Sequence, residues 1–243
     1  MGRGPVRSGL APIRSLPRCF LPDSDFSGES LEIPKEEYRK FHNVLRLSNG
    51  DQVALFPNDG TVWRAELRRY EAVLLEQEPV LTESARRITL AQALPKADKI
   101  DEIIRMGTEL GVAEFILFSS DRTVVQWSGS KLDDKLHRMG SIAREACEVA
   151  YRGRLPIIRM TPNLANLLKE QPEAIVLAET PNLDRTLKAR LSAGTDATLV
   201  IGPEGGWSPN EVKTIGDRAT TLGPRVLRVV TAAVTACALA LAD

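Results

Sequence analysis

Short alternating hydrophobic runs characterise the first third of the chain. Gln52–Phe56 and Thr61–Leu67 are two such runs, and the four residues between them end in Asp-Gly. Alternation on both sides of an Asp-Gly turn predicts a β-hairpin. Before the hairpin, Pro34–Leu47 has the spacing of a helix that Asn49-Gly50 would end. We therefore expect a small β-rich domain over residues 18–83.

From Arg87 onward, short apolar runs alternate with amphipathic stretches. The predicted strands are Ile88–Ala93, Phe115–Phe118, Ala174–Ala178 and Thr198–Ile201, and the predicted helices are Lys96–Leu110 and Leu132–Tyr151. This alternation predicts a mostly parallel sheet covered on both faces, over residues 84–243. The apolar run Val229–Ala242 is shorter than the roughly 18–20 residues of a membrane span. We expect it to be a buried helix capped by Thr231.

Composition and charge exclude several classes of protein. Lys and Arg number 32 and balance 32 Asp and Glu, so net charge favours neither membrane nor nucleic acid, although a local basic groove is compatible with it. Three widely spaced cysteines indicate reduced thiols in a cytoplasmic protein. With two histidines, we expect no metal site. Residues 1–17 are basic and lack acids, which indicates a disordered tail or, alternatively, an organellar transit peptide.

A glycine-rich loop is the most informative local motif. A predicted strand ends at Ile201, and Gly202–Gly206 follow it. Ser208 then has the features of an N-cap, with Pro209 at the first helical position and Glu211 completing a capping box. Open α/β sheets bind ligands at the carboxyl ends of their strands. The loop is thus either a ligand loop or a tight strand-to-helix turn, and it lacks the sequence of a phosphate-binding P-loop.

A second element, Leu222–Arg228, precedes the last predicted helix. Gly223-Pro224 interrupts its extended run, which frees backbone groups for a ligand. Arg225 and Arg228 are cations beside an apolar segment. They are either functional or ordinary solvated surface charges.

Together these stretches resemble the 16S ribosomal RNA uridine-N3 methyltransferase family, of the SPOUT class. The strongest similarity lies in Ile-Gly-Pro-Glu-Gly-Gly-Trp-Ser from Ile201 and in Leu-Gly-Pro-Arg-Val-Leu-Arg from Leu222. Other segments resemble the family's N-terminal RNA-binding domain, first helix, Ser-Glu-Arg-Ser turn and second long helix. These segments are His42–Leu47 with Gly50-Asp51, Lys96–Val112, Ser120–Thr123, and Arg144–Arg152 with Pro156. The resemblance extends from about Arg18 to the C-terminus.

The resemblance implies a fold and a cofactor. The expected fold is a PUA-like β-barrel that binds RNA, followed by a parallel α/β domain with a C-terminal trefoil knot. The expected assembly is a homodimer, and the expected cofactor is S-adenosylmethionine, bound in the knot. The residues implied to bind it are Leu177, Ala178, Glu179, Ile201, Gly202, Pro203, Glu204, Gly205, Gly206, Leu222, Gly223, Val226 and Leu227.

The resemblance also implies a reaction on RNA of the small ribosomal subunit. Uridine N3 lies on the Watson–Crick edge, so the target base must be unpaired before a methyl group reaches it. A cation that stabilises the uridine anion would assist the reaction, and Arg228 is the candidate. The candidate RNA-binding residues are Arg18, Arg46, Arg122, Arg152 and Arg154.

Two departures from the family pattern keep other functions open. The family's Leu-Arg-Thr-Glu-Thr-Ala is replaced here by Leu227–Ala232, in which Val230 stands at the position of the acid. The family's Glu-Gln-Ser-x-Arg is replaced by Glu148–Arg152, in which two polar groups are lost. The alternative is therefore a catalytically weakened ribosomal RNA-binding or assembly factor that still binds the cofactor. A third reading is an unrelated nucleotide-binding α/β enzyme.

Overall fold

The computed structural model of the protein describes residues 11–96, 98–125, 127–179, 185–191 and 195–242. It divides into two units, and the division falls between Thr82 and Glu83. The sequence places the boundary one residue later. Tyr151–Arg154 also belong to the first unit, although they follow a long helix of the second. The first ten residues of the tail expected from the sequence lie outside the described residues.

The first unit contains a five-stranded sheet. Its strands are β1 (Arg18–Phe20), β2 (Ser30–Glu32), β3 (Gln52–Phe56), β4 (Thr61–Arg68) and β5 (Glu71–Pro79). Their order is β1-β3-β4-β5-β2, which makes an open sheet, a half-barrel. The predicted hairpin is confirmed as β3 and β4, with Gly60 in its turn at φ +95°. The predicted helix is α1 (Lys35–Arg39), which continues as a wider turn to Val44.

Residues 11–17, which the sequence assigns to a disordered tail, are instead packed against the first unit. Ile13–Ser15 form a short helical turn in which Ile13 is buried. The Ala11 carbonyl accepts a hydrogen bond from Arg64 Nη2 at 2.9 Å, and the Pro17 carbonyl accepts one from the Ala54 amide at 2.8 Å. The prediction missed this because the contacts are made with residues more than thirty positions away.

Tyr151 anchors its short segment in the first unit. Its ring meets Phe56 edge-on, and the guanidinium groups of Arg14 and Arg18 lie 5.3 and 5.1 Å from the ring centroid. Burial raises the pKa of its hydroxyl, and the neighbouring Glu78 carboxylate raises it further. The residue has a φ of +57°, in the left-handed region, where the preceding helix has ended.

The second unit is built on a six-stranded, all-parallel sheet. Its strands are β6 (Ile88–Ala93), β7 (Glu114–Ser119), β8 (Ile157–Asn163), β9 (Ile175–Leu177), β10 (Ala197–Ile201) and β11 (Ala219–Thr220). Its helices are α2 (Lys99–Leu110), α3 (Ser130–Ala150), α4 (Leu164–Glu170), α5 (Leu187–Arg190), α6 (Pro209–Ile215) and α7 (Val229–Leu241). The strand order is β11-β9-β10-β6-β7-β8. The predicted α/β class with a parallel sheet is confirmed.

Alternate residues of the central strands enter two separate cores. Leu90 of β6 and Phe115 of β7 pack on one face with α2 and α7. Ala91 of β6 and Ile116 of β7 pack on the opposite face with α4 and α6. Burial on both faces explains why these strands are continuous apolar runs in the sequence.

Three predictions about element ends need correction. Helix α2 begins at Lys99, so Lys96 lies before it. Helix α3 begins at Ser130 and ends at Ala150. Helix α7 begins at Val229, and Thr231 is inside it and does not cap it. The residue at the N-cap is Arg228, whose carbonyl accepts the Ala232 amide at 2.8 Å, with no side-chain cap.

Within the described residues, none of these helices combines the length and hydropathy that crossing a membrane requires.

Gly107 offers a direct test of core packing. It lies on the buried side of α2, and a Cβ there would stand 2.9 Å from two atoms of the Phe115 ring. We expect Gly107→Ala to lower the free energy of unfolding by about 1 kcal/mol, because overpacking costs more than the gain in helix propensity. Urea denaturation followed by circular dichroism measures this change.

Gly140 supplies the matched control. It is exposed in the middle of α3, and a Cβ there would meet no atom within 4 Å. Gly140→Ala should therefore raise the free energy of unfolding by about 0.5–1 kcal/mol. The packing argument fails if both substitutions stabilise the protein equally.

Candidate functional site

Three loops from distant parts of the sequence meet at one edge of the parallel sheet. Strand β9 lies between β10 and β11, so that Val176 pairs with both Val200 and Ala219. Because the strands are parallel, their carboxyl ends lie side by side. The chain leaves this edge at Ala178, Gly202 and Thr221. The Ala178 amide donates to the Thr220 carbonyl at 2.9 Å and ties two of these exits together.

The Leu222–Arg228 segment starts from a hydrogen-bonded turn. The Thr221 hydroxyl accepts the Gly223 amide and donates to the Gly223 carbonyl, both at 3.0 Å. Gly223 has a φ of +116°, which a residue with a side chain rarely adopts. Val226 is 80% exposed, and Arg228 is exposed at the start of α7. Within the described part of the chain, the Arg228 guanidinium forms no hydrogen bond or ion pair.

Trp207 fastens the glycine-rich loop to the end of β9. Its Nε1 donates to the Leu177 carbonyl at 2.9 Å, and its ring stacks on Phe118 with centroids 6.4 Å apart. A Cβ on Gly202 would stand 3.0 Å from the Trp207 ring, so a side chain there would require the ring to move by a few tenths of an ångström. From the opposite side, Gln92 Nε2 donates to the Gly202 carbonyl at 3.3 Å.

The predicted capping box is confirmed at the start of α6. Ser208 Oγ accepts the Glu211 amide at 3.1 Å, and Glu211 Oε2 accepts the Ser208 amide at 2.9 Å. This fixes the direction in which the chain leaves the loop. The same residues contact the turn after β7, because Ser208 Oγ donates to the Asp121 carboxylate.

Glu204 is engaged by the start of α2. Its carboxylate accepts a hydrogen bond from Lys99 Nζ at 2.6 Å and from the Lys96 amide at 3.1 Å. Partial burial raises the pKa of Glu204, but the hydrogen bonds, of which that from Lys99 is the strongest, lower it by more in total. The pKa of Glu204 therefore lies below its usual value. The ionised carboxylate connects the glycine-rich loop to the start of α2 and is a poor proton acceptor.

The structure separates the residues that the sequence selects into two groups. The expected cofactor residues of 177–179, 201–206 and 222–227 lie at this one edge, on the loops or, for Leu177 and Ile201, at the ends of the strands that lead into them. Of the expected RNA-binding residues, Arg122 is beside the glycine-rich loop, at the Gly205 carbonyl. Arg18, Arg46, Arg152 and Arg154 belong to the first unit.

Sequence reasoning missed Gln92, Lys99 and Asp121 as supports of the loop. Gln92 carries a detectable signal, since it is a polar residue at the end of an apolar strand and is fully buried. The other two look like ordinary charges near helix or strand ends. Their partners are about ninety or more positions away along the chain.

The chemistry available at this edge is mainly that of the backbone. Amides and carbonyls of three loops are concentrated there. Arg228 is a cation that directly follows the third of these loop segments, 222–227, along the chain. Among the described residues, no group of three or more His, Cys, Asp or Glu side chains could hold a metal ion.

Burial raises the pKa of the Cys237 thiol to about 12, so it remains protonated at neutral pH.

Removing the Lys99 amine should change the titration of Glu204. We expect Lys99→Met to raise the pKa of Glu204 towards its ordinary value, measured by carbon-13 NMR of the carboxyl group. Because the pKa of Glu204 is lower in the folded protein than in the unfolded chain, its ionisation stabilises the fold. This stabilisation is complete at a pH above the usual glutamate pKa, and it is lost as the pH falls through the lowered pKa. Lys96→Met is the control, since its contact uses a backbone amide that Met retains. Equal shifts in both variants would contradict the assignment.

Comparison with known proteins agrees with this arrangement. Residues 82–241 match the RNA methyltransferase domain family. A Bacillus subtilis protein named ribosomal RNA small subunit methyltransferase E is 31% identical, over 84% of this chain and 86% of the relative. The protein of that name from Synechocystis is 35% identical, over 80% of this chain and 67% of the relative.

A solved structure is similar over most of the chain. The ribosomal RNA small subunit methyltransferase E of Neisseria gonorrhoeae, crystallised with S-adenosylmethionine, superposes with a TM-score of 0.81 and 29% identity, covering 92% of this chain and 96% of that one. The chain thus belongs to the RNA methyltransferase family, among the relatives named ribosomal RNA small subunit methyltransferase E.

Proposed function

We propose that this protein transfers the methyl group of S-adenosylmethionine to N3 of a uridine in 16S ribosomal RNA of the small subunit. The observation that carries the proposal is the meeting of the loops after β9, β10 and β11 at one edge of the sheet. The names of the relatives support the RNA substrate, and the Neisseria structure supports the cofactor.

The residues at this edge fit S-adenosylmethionine. A Cβ at Gly206 or at Gly223 would meet no atom within 4 Å, so both loops border open space. The backbone groups of 177–179, 201–206 and 222–227 would hold the cofactor, since their amides and carbonyls match the polar edges of an adenine and an amino acid. When bound, the cofactor supplies an electrophilic methyl group on a sulfonium centre.

A trefoil knot at this position is part of the proposal. Strand β11 is at the edge of the sheet, whereas α7 packs against the central strands β6 and β10. The segment Leu222–Arg228 must therefore bring the chain back across the sheet within seven residues. Such a return beside the glycine-rich loop is what a knotted cofactor pocket requires.

Arg228 is the proposed catalytic residue. Removal of the N3 proton leaves negative charge on the uracil ring, and a nearby guanidinium stabilises it. The exposed side chain of Arg228 is available for this role. Val230 provides no carboxylate on the first turn of α7.

The first unit is the proposed RNA-binding domain, of the PUA-like barrel type. Arg18, Arg46 and Arg154 are at least partly exposed there and suit contacts with phosphates. Arg152 is 3% exposed, which favours a structural role for it. A homodimer acting in the cytoplasm, where ribosomal subunits are assembled, completes the proposal.

The second candidate function is a ribosomal RNA-binding or assembly factor with weakened catalysis. Val230 and Val149 favour it, because they stand where the family pattern that this sequence resembles has polar residues. This candidate predicts cofactor binding without turnover on small ribosomal subunits, which separates it from the enzyme in the following experiment.

Arg228→Ala tests both the reaction and the site. We expect the turnover number to fall about 100-fold, because stabilisation of the developing anion is lost. The assay uses small subunits that lack the modification and detects 3-methyluridine by mass spectrometry of nucleosides.

The affinity for S-adenosylmethionine should be unchanged in this variant. Arg105→Ala is the matched control, since Arg105 is an exposed arginine of α2 outside the proposed site, and it should keep full activity. Wild-type protein that binds the cofactor but forms no 3-methyluridine would support the assembly factor instead.

Arg46→Ala tests the RNA-binding domain. A lost phosphate contact should weaken binding of the RNA several-fold and reduce the slope of log affinity against log salt by about 1. Filter binding at several salt concentrations measures this slope. Arg68→Ala serves as control, because Arg68 is exposed but paired with Glu66 at 3.1 Å. An unchanged slope for Arg46→Ala would remove Arg46 from the interface.

A further inference from the structure

The turn Ser120–Thr123 touches the glycine-rich loop directly. Arg122 Nη1 donates a hydrogen bond to the Gly205 carbonyl at 2.7 Å. A Cβ on Gly205 would stand 3.2 Å from Arg122 Cβ and 3.5 Å from Arg122 Cδ. Gly205 does not have a positive φ. Its missing side chain therefore serves the close approach of Arg122 and not an unusual backbone conformation.

The turn that carries Arg122 is itself held in place. The Ser120 amide donates to Thr123 Oγ1 at 2.9 Å, and the Asp121 amide donates to Glu211 Oε1 at 3.1 Å. The Asp121 carboxylate accepts the Ser208 hydroxyl. The turn from which the Arg122 side chain reaches the loop is thus hydrogen-bonded to the start of α6.

We infer that Arg122 is a positioning residue of the cofactor loop, acting through the Gly205 carbonyl. The family resemblance places this arginine among the RNA-binding residues, whereas its guanidinium is directed to a main-chain oxygen of the loop. A charge-assisted hydrogen bond that orders a loop in advance lowers the entropy cost of ligand binding. The inference rests on the proposed function, because it requires S-adenosylmethionine to bind at this loop.

Arg122→Met is the test, because it keeps the aliphatic stem against Gly205 and removes the guanidinium. Calorimetric titration with S-adenosylmethionine, in the absence of RNA, should show a dissociation constant about fivefold higher. The affinity for RNA and its salt slope should be unchanged, and so should the melting temperature of the cofactor-free protein. A merely structural role would lower that melting temperature. Arg122→Lys should restore part of the cofactor affinity.

Arg105→Met is the matched control, since Arg105 is an exposed arginine of α2 in the same unit. It should change neither affinity. Unchanged cofactor affinity in Arg122→Met overturns the inference, and a reduced salt slope would then assign Arg122 to the RNA. A wild-type protein that does not bind S-adenosylmethionine overturns the proposed function as well, which distinguishes the two failures.

Discussion

Parallel pairing of β9 with both β10 and β11 is the constraint on which the proposed site depends. Strand β9 has three residues and β11 has two, so the ladder supplies few hydrogen bonds. Burial of Ile175 and Leu177 on one face and of Val176 on the other stabilises β9 instead. Three loops separated by up to fifty residues are consequently held at one edge, where none of them could form a pocket alone.

The glycine-rich loop is held at three of its residues by parts of the chain that precede it. Gln92 reaches Gly202 from β6, Lys99 reaches Glu204 from α2, and Arg122 reaches Gly205 from the turn after β7. Each support comes from a different part of the second unit, namely a strand, a helix and a turn. Main-chain groups fixed in this way bind a ligand without first being ordered. Two of the three contacts use a main-chain carbonyl of the loop, and the third uses the side chain of Glu204.

The sequence predicts most elements whose signals are local and few whose signals are long-range. The limits of β6 and the capping box of α6 follow from apolar continuity and from Ser208 and Glu211, and both are confirmed. Strand β5 is missed because it is rich in exposed glutamates, and β8 because it is an edge strand that contains Pro162. Tyr151 reads as the end of a helix, although its ring packs in the first unit, since no local pattern encodes that contact.

Val230, two positions after Arg228, stands where the family pattern that this sequence resembles has an acid. An acid near an arginine can orient it and also partly neutralises it. Here, within the described residues, no carboxylate pairs with Arg228, so its full charge is available to an anion. Val230 instead packs against the apolar core beneath α7, where a carboxylate would pay a desolvation cost. Val230 therefore contributes packing at the start of α7, and in the proposed reaction the stabilisation of the uridine anion rests on Arg228.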